Sequence, residues 1–101
     1  MLNTTIQEQD GNLVAILEGS LDTSVASEAE KALIPLSESE GKDIILDCTG
    51  LTYISSAGLR LFLSILKTAE EKGQHVYIAN ISEAVRNVFN ITGFCNIFEF
   101  K

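Results

Sequence analysis

Ile44-Ile45-Leu46-Asp47-Cys48-Thr49-Gly50-Leu51-Thr52-Tyr53-Ile54-Ser55-Ser56-Ala57-Gly58-Leu59-Arg60 is the stretch that decides the fold. Together with the preceding Asp43, its first residues form a short apolar run, 43–48, with an Asp near each end. Such a run predicts a parallel strand buried on both faces. Gly50-Leu51-Thr52-Tyr53-Ile54 reads as a connection. Ser55-Ser56 then stands in front of a strongly apolar helix running to about Lys72. Leu59, Phe62, Leu63, Leu66 and Ala69 recur at helical spacing, Leu61 and Ile65 widen the stripe, and Gly73 is the expected left-handed stop. Strand, connection and helix together are the start of a βαβ unit, which places the chain among α/β folds.

Toward the N-terminus, Asp10-Gly11 is a favoured two-residue hairpin turn. Leu2, Thr4 and Ile6 alternate with Asn3, Thr5 and Gln7 before it, as in an edge strand with one wet face. Leu13-Val14-Ala15-Ile16-Leu17 after it is apolar on both faces and predicts a strand covered on both sides. Asp22, Thr23 and Ser24 offer side chains for the orphan N–H groups of a helix over roughly 24–38, which Pro35 should kink or end early. Toward the C-terminus, 76–81 reads as a strand. Ser82 caps a last helix with Val85, Val88, Phe89 and Thr92 on one face, Gly93 stops it, and 96–100 adds a short final strand. The expected architecture is α/β: a mixed sheet of four to five strands, an N-terminal antiparallel hairpin followed by alternating helices and strands. Residues 1–101 form one domain, without internal repeats.

Composition narrows the function. The chain has 101 residues, 46% of them apolar, and a net charge of −7. That length supports a core without disulfides or metals. The acid excess and the scattered basic residues argue against nucleic acid and anionic membrane, both of which reward clustered Lys and Arg. The longest strongly apolar part, 59–66, contains Arg60 and Ser64 and falls far short of the ~20 residues of a membrane span. Met1-Leu2-Asn3-Thr4-Thr5 lacks the basic and apolar regions of a secretory signal, so a cytoplasmic location is expected. Cys48 and Cys95, far apart, are expected to be buried reduced thiols.

No catalytic set is visible. The single histidine, His75, falls at the start of a strand. There is no G-x-S-x-G elbow, no metal-ligand spacing and no phosphate-binding glycine loop, so neither a metal nor another cofactor is expected. What remains is the serine pair. One serine serves as an ordinary N-cap and the other as a turn residue on the plainest reading. A hydroxyl there also lies beside free N–H donors and a positive dipole end, a place that favours an added phosphate.

Tyr53-Ile54-Ser55-Ser56-Ala57-Gly58-Leu59-Arg60 resembles the central signature of STAS domains, in particular the bacterial anti-sigma factor antagonists. Leu17-Glu18-Gly19-Ser20-Leu21-Asp22 is similar to that family's G-x-L-D element, and Ile45-Leu46-Asp47 to its third-strand pattern. The similarity runs over nearly the whole chain in the same element order. It implies a partner switch rather than an enzyme. The dephosphorylated domain would bind an anti-sigma factor that is also a serine kinase and so release a sigma factor, and a PP2C-type phosphatase would reverse the modification. By position the phosphoacceptor would be Ser56, two residues before the motif glycine Gly58. Asp22, Ser55, Ser56, Ala57, Gly58 and Leu59 would form the partner-binding patch. Ser55 stands where many members carry aspartate. The alternative is a STAS module that binds a partner without phosphorylation, as an accessory subunit of a transport or signalling complex. Small size and a polar first strand suit a monomer.

Overall fold

A computed structural model describes residues 2–39 and 41–100. Strands β1 (Leu2–Gln9) and β2 (Asn12–Leu21) form the hairpin. Asp10 and Gly11 both adopt positive φ, 52° and 80°, the conformation that a twisted two-residue hairpin turn requires. After α1 (Ala26–Ala32) and α2 (Ile34–Glu38) come β3 (Ile44–Ile54), α3 (Ser56–Glu71), β4 (Val76–Ala79), α4 (Glu83–Thr92), a 3-10 turn (Phe94–Asn96) and β5 (Glu99–Phe100). The sheet order is β1-β2-β3-β4-β5; only β1 is antiparallel to its neighbour.

This order corrects one expectation. Every crossover advances one strand in the same direction, so right-handed connections return their helices to a single face. Burial follows: Ala15, Leu17, Ile44, Leu46, Cys48, Val76 and Ile78 lie under the helices, while Ile16, Ile45, Asp47, Tyr77 and Ala79 remain half-buried on the other face, where Val14, paired with Ile45, is buried. β2 and β3 are therefore covered on one side, not two. Their apolar continuity reflects a second face that is shielded by strand neighbours rather than by helices. Leu2 and Ile6 of β1 join the core from the helix side, as the alternation of that strand predicts.

Helix breaks follow local chemistry. The 24–38 segment divides at Leu33 into α1 and α2, and Pro35 occupies the first turn of α2, where a missing N–H costs nothing. Gly73 and Gly93 sit past α3 and α4 with φ of 75° and 80°. Ser82 caps α4 by accepting from the Val85 N–H at 3.2 Å. Phe62 of α3, Phe89 of α4 and Phe98 meet as a cluster with centroids 5.6–6.5 Å apart, joining the last helix and last strand to the core. Two boundaries differ from expectation. β4 ends at Ala79 because Asn80 turns left-handed at φ 56°, and the final strand is only Glu99–Phe100 because the 3-10 turn occupies its predicted start. Cys48 is buried, and burial pushes its thiol up to about 12; the expectation for the Cys95 side chain lies outside the described residues.

Candidate functional site

The largest difference between sequence and structure creates the site. The segment read as a connection, Gly50-Leu51-Thr52-Tyr53-Ile54, is the second half of β3. It pairs with β2 through two register shifts, between Ile16/Glu18 and Gly19/Ser20. Each puts an extra residue in β3, which bends the strand and breaks its two-residue period. Gly50 lies where a Cβ would come within 2.9 Å of the Glu18 Cγ. The Thr52 hydroxyl donates to the Gly19 carbonyl at 3.0 Å. Because β4 ends opposite Asp47, β2 and β3 continue alone to their last pair, Leu21↔Ile54.

At that crest the chain turns into α3. The Ser55 N–H donates to the Leu21 carbonyl at 2.8 Å, which ties the mouth of the helix to the end of β2. Ser55 is extended, 8% exposed, and its hydroxyl accepts from the Gly58 N–H at 3.2 Å. Ser55 is thus the N-cap, and Ser56 is the first helical residue. Ser56 is exposed, and its hydroxyl has no hydrogen bond among the described residues. Gly58 is required by space: a Cβ would lie 2.7 Å from Leu21 Cγ and 2.8 Å from Ile54 Cγ1.

Asp22 follows Leu21 and is therefore held at the same crest. Its Oδ1 accepts from the Ser24 hydroxyl at 2.6 Å, the Ser24 N–H at 3.0 Å and the Val25 N–H at 3.3 Å. Chiefly the Ser24 hydroxyl bond lowers its pKa; desolvation opposes this and the two backbone N–H bonds add to it. The predicted helix cap is corrected in detail. The N-cap of α1 is Val25, which has no side-chain cap, and Asp22 orders the turn before it while Thr23 and Ser24 give α1 no cap. Further down β3, Asp47 accepts from the Thr49 N–H, the Thr49 hydroxyl and the Asn80 amide. Partial burial raises its pKa, but those bonds prevail and hold it below the ordinary carboxylate value.

The predicted patch separates into two layers. Ser56 is exposed, and Asp22 and Ala57 are half-buried at the surface. Ser55, Gly58 and Leu59 lie beneath: Ser55 is spent on the cap, and Leu59 is 1% exposed in the core. Burial of a leucine side chain stabilises by about 1.5–3 kcal/mol, which is a packing role. Two exposed residues of the crest were outside the predicted patch, Thr52 and Tyr53, the latter 50% exposed. Only the bulges bring them there, and bulges leave no mark in the hydrophobic pattern. Beside the helix mouth, Thr23, Ala26, Ser27, Glu30, Ala57, Arg60, Leu61 and Ser64 line an open groove of about 400 Å³ between α1 and α3.

His75 lies at the opposite end of the sheet. Its N–H donates to Asp43, its carbonyl accepts from the Ile44 N–H, and its ring stands 3.9 Å from Glu99. It is therefore unavailable as a base for the crest serines. Among the described residues no group of His, Cys, Asp and Glu is placed to hold a metal ion, and no helix is long and apolar enough to cross a membrane.

Comparison with known proteins agrees with this arrangement. The STAS domain family model matches residues 3–101. BtrV of Bordetella bronchiseptica, named as a candidate anti-sigma factor antagonist, is 33% identical over 97 residues, 96% of this chain and 84% of that protein. The anti-sigma-B factor antagonist of Staphylococcus aureus is 30% identical over 92 residues, 91% and 85% of the two chains. Among solved structures, the anti-sigma factor antagonist SpoIIAA in its unphosphorylated form superposes with a TM-score of 0.80 at 21% identity, covering 98% of this chain and 88% of the other. The phosphorylated form of SpoIIAA, from Bacillus, gives 0.72 at 19% identity, with 98% and 91% covered. Family model, relatives and crest geometry lead to one conclusion: the chain belongs to the STAS domain family.

Proposed function

We propose that this chain is an anti-sigma factor antagonist that works as a phosphorylation-controlled partner switch. In its unmodified form it binds an anti-sigma factor with serine kinase activity, and a sigma factor is released to direct transcription. The kinase transfers the terminal phosphoryl group of ATP to the Ser56 oxygen, with loss of the hydroxyl proton and formation of ADP. A PP2C-type phosphatase hydrolyses the ester and restores binding. The chain acts as a monomer in the cytoplasm and is the substrate of these enzymes, not a catalyst.

One observation carries this reading: Ser55 takes the capping role, so the hydroxyl of Ser56 remains exposed and uncommitted at the mouth of α3. The contact patch is then the upper layer of the crest, Asp22, Ser56 and Ala57, extended by Thr52 and Tyr53. Ser55, Gly58 and Leu59 support it from below. A phosphate adds about −1.5 to −2 charges, and a helix N-terminus offsets this by about 0.3–1 kcal/mol, so the free domain stays folded. In a closed interface the same group, without a cation on the partner, costs several kcal/mol of desolvation and repulsion. At ~4 kcal/mol affinity falls about a thousandfold.

Intact-mass measurement of the chain isolated from its native cells, with and without phosphatase treatment, tests the modification. Ser56→Ala should abolish the phosphorylated species and retain partner binding, whereas Ser56→Asp should weaken binding. Neutral behaviour of both variants, with no phosphorylated species, would instead favour a STAS module that binds without phosphorylation.

A further inference from the structure

On a chain of net charge −7, the segment of α3 from Ser56 to Lys67 carries Arg60 and Lys67 and no acidic residue. Arg60 stands four residues after Ser56, one helical turn on. Side chains at i and i+4 lie on one face, and helical side chains lean toward the N-terminus, so Arg60 shares a face with Ser56 and a phosphate on Ser56 is within its reach. Both residues are exposed. Arg60 has no ion pair or hydrogen bond among the described residues. Glu30 on α1 lines the same groove, but the two do not come within ion-pair distance.

We infer that Arg60 is the positioning residue for the phosphate on Ser56. The inference rests on the phosphoacceptor role proposed above. A guanidinium is always charged and presents paired N–H donors that match two phosphate oxygens, which a lysine ammonium does not. The ester therefore folds back along its own helix. Modification then changes the interface twice: it adds negative charge at Ser56 and withdraws from the partner a cation that the unmodified chain offers to a carboxylate. The dianion is the form that gains most from Arg60, so the pair shows itself in the titration of the phosphate.

The test installs phosphoserine at position 56 during translation, so no kinase is needed, and follows the second phosphate ionisation by phosphorus NMR. With Arg60 present the midpoint should lie about 0.3–0.7 unit below that of Arg60→Gln, twofold to fivefold in the dissociation constant. Arg60→Lys, which keeps the charge and loses the fork, should recover part of the shift. Asp22 at the crest and Glu30 on α1 are common to all three proteins. Midpoints equal to within about 0.1 unit in Arg60 and Arg60→Gln proteins, or a shift of opposite sign, would overturn the inference. Failure of the phosphoacceptor role itself would be read separately, from the absence of phosphorylated chain in native cells.

Discussion

The Ser55 hydroxyl accepts from the Gly58 N–H at 3.2 Å, and by doing so it divides a pair of identical side chains into a structural one and an exposed one. Ser55 becomes the cap and Ser56 the first residue of α3. Replacing Ser55 by Ala should lower stability by about 0.5–2 kcal/mol. For a domain of this size that is roughly 4–8 °C in Tm per kcal/mol. Ser55→Asp keeps an acceptor at the cap and should recover most of the loss. Urea denaturation of the three proteins decides it; equal loss in both variants would mean that the cap is not what the hydroxyl contributes.

Gly58→Ala should destabilise even though alanine favours helix over glycine by about 1 kcal/mol. Its Cβ would meet Leu21 and Ile54, both buried, at 2.7 and 2.8 Å. Overpacking of this kind costs about 1–3 kcal/mol. A midpoint shift to lower urea concentration at constant slope is expected, and an increase in stability would show that the crest can open at no cost.

Asp22 and Asp47 give the fold an acid limb of known sign. Hydrogen bonds to their carboxylates hold both below the ordinary aspartate value in the folded protein. Their contribution is therefore fully present above the unfolded value and is lost as pH falls through the lowered folded one. Asp47→Asn should cost stability at pH 7, and the gap to the parent protein should close as both are titrated to pH 3 or below, as followed by urea midpoints across that range. A gap that widens on acidification contradicts the assignment.

Much of this could be read before the fold was known, and the failures share a cause. The hairpin, the helix stops at Gly73 and Gly93 and the break at Leu33, just before Pro35, are local chemistry, so Asp10-Gly11, Gly73, Gly93 and Pro35 announce them directly. One-sided coverage of β2 and β3 was not legible, because a run such as Leu13–Leu17 has the same composition whether the second face meets helices or only neighbouring strands. Nor was the far half of β3, since the extra residues it inserts before its pairings with Glu18 and Ser20 erase its alternation. That half carries Thr52 and Tyr53 to the crest, so the same bulges hid part of the site. Ser55 and Ser56 were both legible as candidates, but only the Gly58 N–H distinguishes their tasks.

Cys48 should resist thiol reagents in the folded protein, because burial, reinforced by the nearby Asp47 charge, pushes its pKa to about 12. In a Cys95→Ser background, labelling of Cys48 should proceed at the rate of unfolding and accelerate with urea. Rapid labelling without denaturant would show that the strand opens locally.

The most direct test of the switch is the affinity of the purified chain for the anti-sigma serine kinase of its own organism, measured by calorimetry with Ser56 unmodified and with phosphoserine at position 56. The expected result is binding by the unmodified chain, a loss of about a thousandfold on phosphorylation, and superposable circular dichroism spectra of the two forms. Equal affinity of both forms would contradict it.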